Sequence, residues 1–383
     1  MTPAARAAAA IGVLDTILAG QPAEQALTNW GRANRYAGSS DRAALRDLVF
    51  DALRCRRSFA ALGGAMTGRG LILGGLRAAG LDPAAVFADD RYAPPPPDAA
   101  DAPRAPEGDE ALDVPDWLAP RLKDSLGPDY TPVMQAMRQR APVFLRVNPL
   151  RATRAAAIAA LAADGVEARP HPLAAGALEV LGGARRIQQG AAYLDGLVEL
   201  QDASSQAVVE ALPLRDGQRV LDLCAGGGGK TLAMAGRARV ALFAHDADPR
   251  RMRDLPARAA RAGAAVKITE KPEKTGPYDL ILTDVPCSGS GSWRRDPEGK
   301  WRLTAARLDE LLAIQSGVMD RAAGMLRAGG VLAYATCSLL RDENGAQVAA
   351  FLARNAGWHC TAQHRLTPLT GGDGFFLALL ARG

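Results

Sequence analysis

Cysteine is scarce in this sequence and unpatterned: Cys55, Cys224, Cys287, Cys337 and Cys360 stand far apart, with no C-x-x-C pair. That spacing excludes a disulfide framework and a cysteine-built zinc site, and it fits reduced thiols in a cytosol. Long apolar runs are absent too. No stretch of 18 or more apolar residues exists, so no membrane span is expected. The N-terminal "RAAAAIGVLDTILAG" is broken by Asp15 and carries no cleavage signature, so it does not read as a signal peptide. No internal repeat is evident. These absences predict a cytoplasmic protein with neither membrane nor metal among its partners. Charge of one sign is in small excess, +5 with pI ≈ 9.1, and arginine far outnumbers lysine. Such a balance suits a polyanion, because basic side chains displace counterions from phosphates.

A chain of 383 residues has room for two or three domains. Residues 1–90 read as helices; in "SSDRAALRDLVFDALRCRRSFAAL", Leu45, Leu48, Val49, Ala52 and Leu53 recur at helical spacing. Residues 91–112, rich in proline, alanine and acid, have almost nothing to bury and are expected to be a linker. Residues 113–200 show a strand in "RAPVFLRVNPLRA", a helix ending at Gly165 and another strand in "GALEVLGG", which predicts a small α+β subdomain. From 201 to 383, strands alternate with helices: "RVLDLCA", "RVALFAHDAD", "YDLILTDVPC" and "GGVLAYATCS", then a terminal strand in "GGDGFFLALLARG". That alternation predicts an α/β fold with a parallel, doubly wound sheet.

In such a sheet, ligands sit beyond the carboxyl ends of the strands, where strand order reverses. The first strand runs into "DLCAGGGGKT", Asp222 to Thr231. Its end resembles a P-loop, but Cys224 stands where that motif needs its first glycine. The Asp222 carboxylate would repel phosphate and suits an ammonium or a hydroxyl. Asp246, at the end of the second strand, is placed to accept hydrogen bonds from ribose hydroxyls. A glycine loop with two such acids fits an adenosine ligand without phosphates, and S-adenosylmethionine is the obvious candidate.

"TDVPCSG" and "YATCS" each bring a cysteine to the same edge of the sheet, Cys287 beside Asp284 and Cys337 one strand on. A lone cysteine is more often a small buried hydrophobe. Two at neighbouring strand ends, one near an acid, suit methylation of a pyrimidine at carbon 5. There a thiolate adds to carbon 6, the activated carbon takes a methyl group, and a base then removes the carbon-5 proton. Strand-end position alone does not rank the two thiols.

With those motifs in hand, the chain resembles the RNA (cytosine-5) methyltransferases, most closely the bacterial ribosomal small-subunit type called Sun or Fmu (RsmB-like). The family's D-x-C-A-A-P-G-G-K-T corresponds to Asp222–Thr231, and its D-A-P-C-S-G to Asp284–Gly289. Its R-R-x-P-x-x-K-W corresponds to Arg294, Arg295, Pro297, Lys300 and Trp301, and its A-T-C-S with E-N to Ala335–Ser338, Glu343 and Asn344. "ELQDASSQ", the closing "DGFF" and "DRAALRDLVFDALRCRR" extend the likeness over nearly the whole chain, the last resembling a NusB-like RNA-binding domain. The resemblance implies a Rossmann-like, S-adenosylmethionine-dependent methyltransferase domain with a mostly parallel seven-stranded sheet.

It further implies methylation of a cytosine in RNA, 16S ribosomal RNA being the expected partner, by a monomer. Cys337 would be the nucleophile and Cys287 the group that helps release product. Asp284 would contact N3 and the exocyclic amine, with Lys230 lining the site. The cofactor would be held by Asp222, Cys224, Ala225, Gly226, Gly227, Gly228, Gly229, Lys230, Asp246, Glu270 and Asp284. Arg294, Arg295, Lys300 and Trp301 would touch RNA through charge and stacking. Gly226-Gly227 departs from the family's Ala-Pro, which loosens the unbound loop. Two alternatives remain open: a DNA cytosine-5 methyltransferase, in which the P-C cysteine is the nucleophile, and an RNA-binding assembly factor without catalysis.

Overall fold

The computed structural model describes residues 1–383. It divides into two compact units, Met1–Arg140 with Trp293–Arg302, and Ala141–Ser292 with Leu303–Gly383.

The first unit is helical, with helices Pro3–Leu18, Ala23–Ala33, Ser39–Arg54, Arg56–Gly63 and Gly68–Ala78. Thr2 and Thr67 cap the first and fifth of these by accepting from Ala5 N and Gly70 N, each at 3.1 Å. Their apolar stripes meet in a core that includes Leu14, Leu45, Val49, Leu53, Leu71 and Leu73. Leu48, expected on the same stripe, is exposed. Residues 91–112, expected as a linker, lie against these helices. The Arg69 guanidinium pairs with Asp101 at 2.6 Å and donates to the carbonyls of Pro95 and Pro96, and Arg104 N donates to Ala61 O. Backbone polar groups that composition leaves without an apolar anchor are thus held by arginine. The unit continues through helices Ala119–Leu126 and Tyr130–Met137, so the division falls after Arg140 rather than in the proline-rich stretch.

The second unit opens with four strands, β1 (Val143–Val147), β2 (Glu167–Pro170), β3 (Ala177–Gly182) and β4 (Val198–Leu200). They form an antiparallel sheet in the order β2-β3-β1-β4. Leu145 and Val147 on one face of β1 pack with Leu161 of the helix Arg154–Ala163, whereas Phe144 on the other joins Ala177 and Ala203. That alternation is the period-2 signature of a strand. The rest is β5 (Arg219–Asp222), β6 (Ala241–Ala244), β7 (Lys267–Ile268), β8 (Tyr278–Asp284), β9 (Leu326–Thr336), β10 (Trp358–Leu366) and β11 (Phe375–Arg382). Their order is β10-β11-β9-β8-β5-β6-β7, parallel from β9 to β7, with β11 and β10 antiparallel at one edge. The near-continuous burial of "YDLILTD" follows from helices covering both faces of its parallel neighbours. No single helix is long and apolar enough to cross a membrane.

Candidate active site

From β5 the chain adds β6 and then β7 on one side, then returns to place β8 and β9 on the other. The strand order therefore reverses at β5, and the loops leaving β5, β6, β8 and β9 share one edge of the sheet. Each sequence motif with candidate chemistry begins on one of those loops.

The glycine loop turns sharply through two left-handed residues, Gly226 at φ +51° and Gly228 at φ +82°. A side chain at either is strained by sterics against the backbone. Asp222, at the end of β5, is buried. Its Oδ2 accepts from Thr231 Oγ1 at 2.7 Å, while its Oδ1 has no partner. Burial raises the Asp222 carboxyl to about 7, with the Asp284 charge adding to the rise. Burial likewise pushes the Cys224 thiol up, so it stays protonated. Asp246, after β6, accepts from Gly226 N at 2.9 Å and Asp248 N at 3.0 Å and pairs with Arg251 at 3.1 Å. The second strand's acid is thus tied to the loop of the first. Ala225 N donates to His245 O at 2.9 Å, joining the same two loops. Glu270 follows β7 and is exposed.

Around this loop stand three arginines that no motif pointed to, held by Glu199 and Gln201 of "ELQDASSQ". Arg258 donates to Gly227 O and pairs with Glu199 at 2.5 Å, and Arg261 pairs with the same carboxylate. Arg146 donates to Gly229 O at 2.7 Å and to Gln201 Oε1 at 2.5 Å. Burial, with the charge of Arg258, lowers Arg146 to about 9. An arginine inside the apolar run "VFLRV" was the one sequence signal available for it.

On the other side of β5, the Lys230 ammonium pairs with Asp284 Oδ2 at 2.8 Å and sits 4.6 Å from the centre of the Phe375 ring. Burial opposes its charge, but Asp284 outweighs burial, with Cys337 and Asp222 adding, so its pKa is raised. The Cys287 and Cys337 sulfurs lie 3.3 Å apart. The hydrogen bond to Cys337, then burial, push the Cys287 thiol well above the usual range, so it holds its proton. Val285 N donates to Ala335 O at 3.1 Å and Gly291 N to Cys337 O at 2.9 Å, which locks the β8 and β9 loops together.

The basic-aromatic segment is placed differently from the expectation of an RNA surface, and it belongs to the helical unit. Lys300 is 2% exposed and donates to Arg54 O at 3.3 Å. Trp301 Nε1 donates to Leu53 O at 2.6 Å, with the Arg56 guanidinium 5.4 Å over its ring. Arg294 is buried, its carbonyl accepting from Arg54 Nε at 2.8 Å, while Arg295 is exposed. The carbonyls at the end of helix Ser39–Arg54 need donors, and this segment supplies them.

Comparison with known proteins agrees with this layout. Residues 209–381 match the family described as 16S rRNA methyltransferase RsmB/F, and residues 114–185 match its ferredoxin-like domain. The Ribosomal RNA small subunit methyltransferase B of Serratia proteamaculans is 33% identical over 297 residues, 73% of this chain and 68% of that one. The Klebsiella pneumoniae protein of the same name is 35% identical over 286 residues, 70% and 66%. Among solved structures, PH0851 superposes over 100% of this chain and 99% of its own, with a TM-score of 0.77 at 22% identity. NSun6 from Pyrococcus horikoshii, solved with SFG, covers 70% of this chain and 98% of its own, with a TM-score of 0.62 at 19% identity. At those identities the structures speak for the fold, and the sequence relatives carry the assignment: the chain belongs to the RsmB/F family of ribosomal RNA methyltransferases.

Proposed function

We propose that this chain methylates carbon 5 of a cytosine in RNA, 16S ribosomal RNA being the expected substrate, through a covalent adduct between Cys337 and carbon 6. The observation that carries the reading is the pair of sulfurs 3.3 Å apart beside the Lys230–Asp284 ion pair. Cytosine-5 chemistry needs one thiol to add and a second acid–base group within reach of the adduct.

S-adenosylmethionine is the cofactor, and it supplies an electrophilic methyl group on a sulfonium. The residues present fit it. The buried, unpartnered Asp222 Oδ1 suits a cationic or donor group, and Asp246 keeps acceptor capacity beside the glycine turn. Two carboxylates at this loop disfavour a phosphate.

In this mechanism Cys337 Sγ forms the bond to carbon 6 of a base turned out of its stack. Asp284 meets the N3 edge, and the Lys230 ammonium paired with it stabilises the negative charge that addition places on the ring. Cys287 hydrogen-bonds the Cys337 sulfur in the resting site. Once Cys337 is bonded to carbon 6, Cys287 gives its own proton to solvent, its sulfur takes the carbon-5 proton, and Cys337 leaves carbon 6 as a thiolate. Glu270, exposed after β7, completes the cofactor's surroundings in this reading, and Arg295, also exposed, touches the RNA backbone.

The experiment is to incubate wild type, Cys287→Ser and Cys337→Ser with 16S RNA and cofactor, then resolve protein–RNA complexes under denaturing conditions. Cys287→Ser is expected to accumulate a covalent complex, and Cys337→Ser to form none and to lose turnover. An adduct in Cys337→Ser instead would exchange the two roles. Wild type that leaves no bisulfite-resistant cytosine in the RNA would sink the reading.

A further inference from the structure

Between the two cysteine loops lies a carboxylate that the mechanism does not use. Glu343 is fully buried, five residues after Ser338, at the end of the short helical turn Arg341–Glu343. Its Oε1 accepts from Ser288 N at 2.8 Å and from Gln315 Nε2 at 3.0 Å. Its Oε2 accepts from Ser288 Oγ at 2.5 Å and from Ser338 Oγ. Ser288 follows Cys287 and Ser338 follows Cys337. One side chain therefore grips the residue next to each sulfur, on two loops fifty positions apart in the chain.

The surroundings hold that side chain still. Tyr334 Oη donates to the Glu343 carbonyl at 2.5 Å. Gln315 Nε2 also reaches Pro286 O at 3.0 Å, immediately before Cys287. Ser290 Oγ lies 3.0 Å from Ser338 Oγ and accepts from Leu339 N at 2.8 Å. A buried carboxylate is costly unless its lone pairs are filled. Here four donors fill them, and three of the four belong to the residues that carry the thiol loops.

We propose that Glu343 is a positioning residue that fixes the spacing of the Cys287 and Cys337 sulfurs by bridging Ser288 and Ser338. The inference rests on assigning both thiols to the reaction, but sulfur spacing can be read without RNA. Diamide, a diazene, takes up the two thiol hydrogens and becomes a hydrazine as the S–S bond forms, and the rate of that closure reports how often the sulfurs are juxtaposed.

The test uses the full chain as wild type, Glu343→Ala and Glu343→Gln. It follows the Cys287–Cys337 crosslink by peptide mapping, single-turnover methyl transfer to 16S RNA, and calorimetric cofactor affinity. Glutamine keeps an oxygen for Ser288 N and Gln315, and its amide can donate to the two serine hydroxyls. Glu343→Ala is expected to slow both crosslinking and methyl transfer, the latter by about 10²-fold, as for a displacement near 1 Å, with cofactor affinity held within about two-fold. Glu343→Gln is expected to rescue both rates to within about three-fold of wild type, the mark of geometry rather than charge. Wild-type crosslinking in Glu343→Ala would overturn the proposal, and so would a Glu343→Gln as impaired as the alanine variant. Should Glu343→Ala fail to bind cofactor, Ser338→Ala decides the matter: a slowed crosslink with cofactor bound supports the bridge, and an unchanged one overturns it. If wild type methylates no RNA but the crosslinking order holds, the functional reading fails and the positioning role stands.

Discussion

Arg258 reaches back from its helix to donate to the carbonyl of Gly227, the residue at which the cofactor loop departs from the family's proline. The same guanidinium is anchored on buried Glu199, which Arg261 also grips. A loop that lacks covalent stiffness is thus held by a clamp from outside. Arg258→Ala is expected to weaken S-adenosylmethionine binding by about ten-fold, the scale of one hydrogen bond to a charged donor. Calorimetry with unchanged affinity would mean the loop needs no such support.

The glycine at 226 is also not a loose substitute for alanine. Its φ of +51° puts a Cβ in the left-handed region, 3.3 Å from an Arg251 nitrogen. Restoring the family residue with Gly226→Ala is therefore expected to cost about 1–2 kcal/mol in folding stability or in cofactor affinity. A variant that melts higher and binds tighter would show that the loop relaxes to another shape.

Asp222 supplies a pH dependence. Its folded pKa, about 7, lies above the ordinary carboxylate value, so the folded protein binds a proton that the unfolded chain has lost. Its contribution to stability is then fully present below the unfolded value and fades as pH rises through about 7. A cationic ligand favours the ionised form. Cofactor affinity is expected to rise between pH 6 and pH 8, about ten-fold at most, with net proton release near pH 6.5 that Asp222→Asn abolishes. Equal proton release in that variant would place the titrating group elsewhere.

Lys300 separates packing from RNA contact. Burial lowers its amine to about 8, below the unfolded lysine value, so the folded state binds fewer protons than the unfolded chain. Stability from this group is therefore lowest below about 8 and is regained as pH climbs toward the unfolded value. Lys300→Met is expected to leave RNA affinity within about two-fold and to leave the helical unit's melting temperature unchanged or raised. A large loss of RNA affinity, with a shallower salt dependence, would restore the amine as a phosphate contact.

The contrast between Lys300 and Cys337 shows what was legible. Cys337, Cys287, Asp284 and the glycine loop sit at ends of buried strands, where apolar runs and local motifs place them without knowledge of distant partners. Lys300 and Trp301 are indistinguishable in sequence from a surface patch. Their acceptors lie on the helix Ser39–Arg54, some 246 positions away. Arg258 was invisible for the same reason, an ordinary charged residue until the fold brings it to Glu199, which stood in a family segment with no sign of that partner. β10 escaped notice because "WHCTAQHRL" carries an edge strand's alternating exposure in mostly polar residues. Glu343 was legible as part of a motif, but its bridge between two loops was not.

The path of the chain from Ser292 to Leu303 bears on how this protein can be taken apart. Residues Trp293–Arg302 belong to the helical unit although they lie between the Cys287 loop and the helix Ala305–Ala323. Neither unit is a contiguous cassette. A fragment ending at Arg140 would leave the carbonyls of Leu53 and Arg54 without the Trp301 and Lys300 donors, and one starting at Ala141 would carry those two donors without their acceptors. Exchange of the helical unit between relatives therefore has to move two separate stretches of gene together.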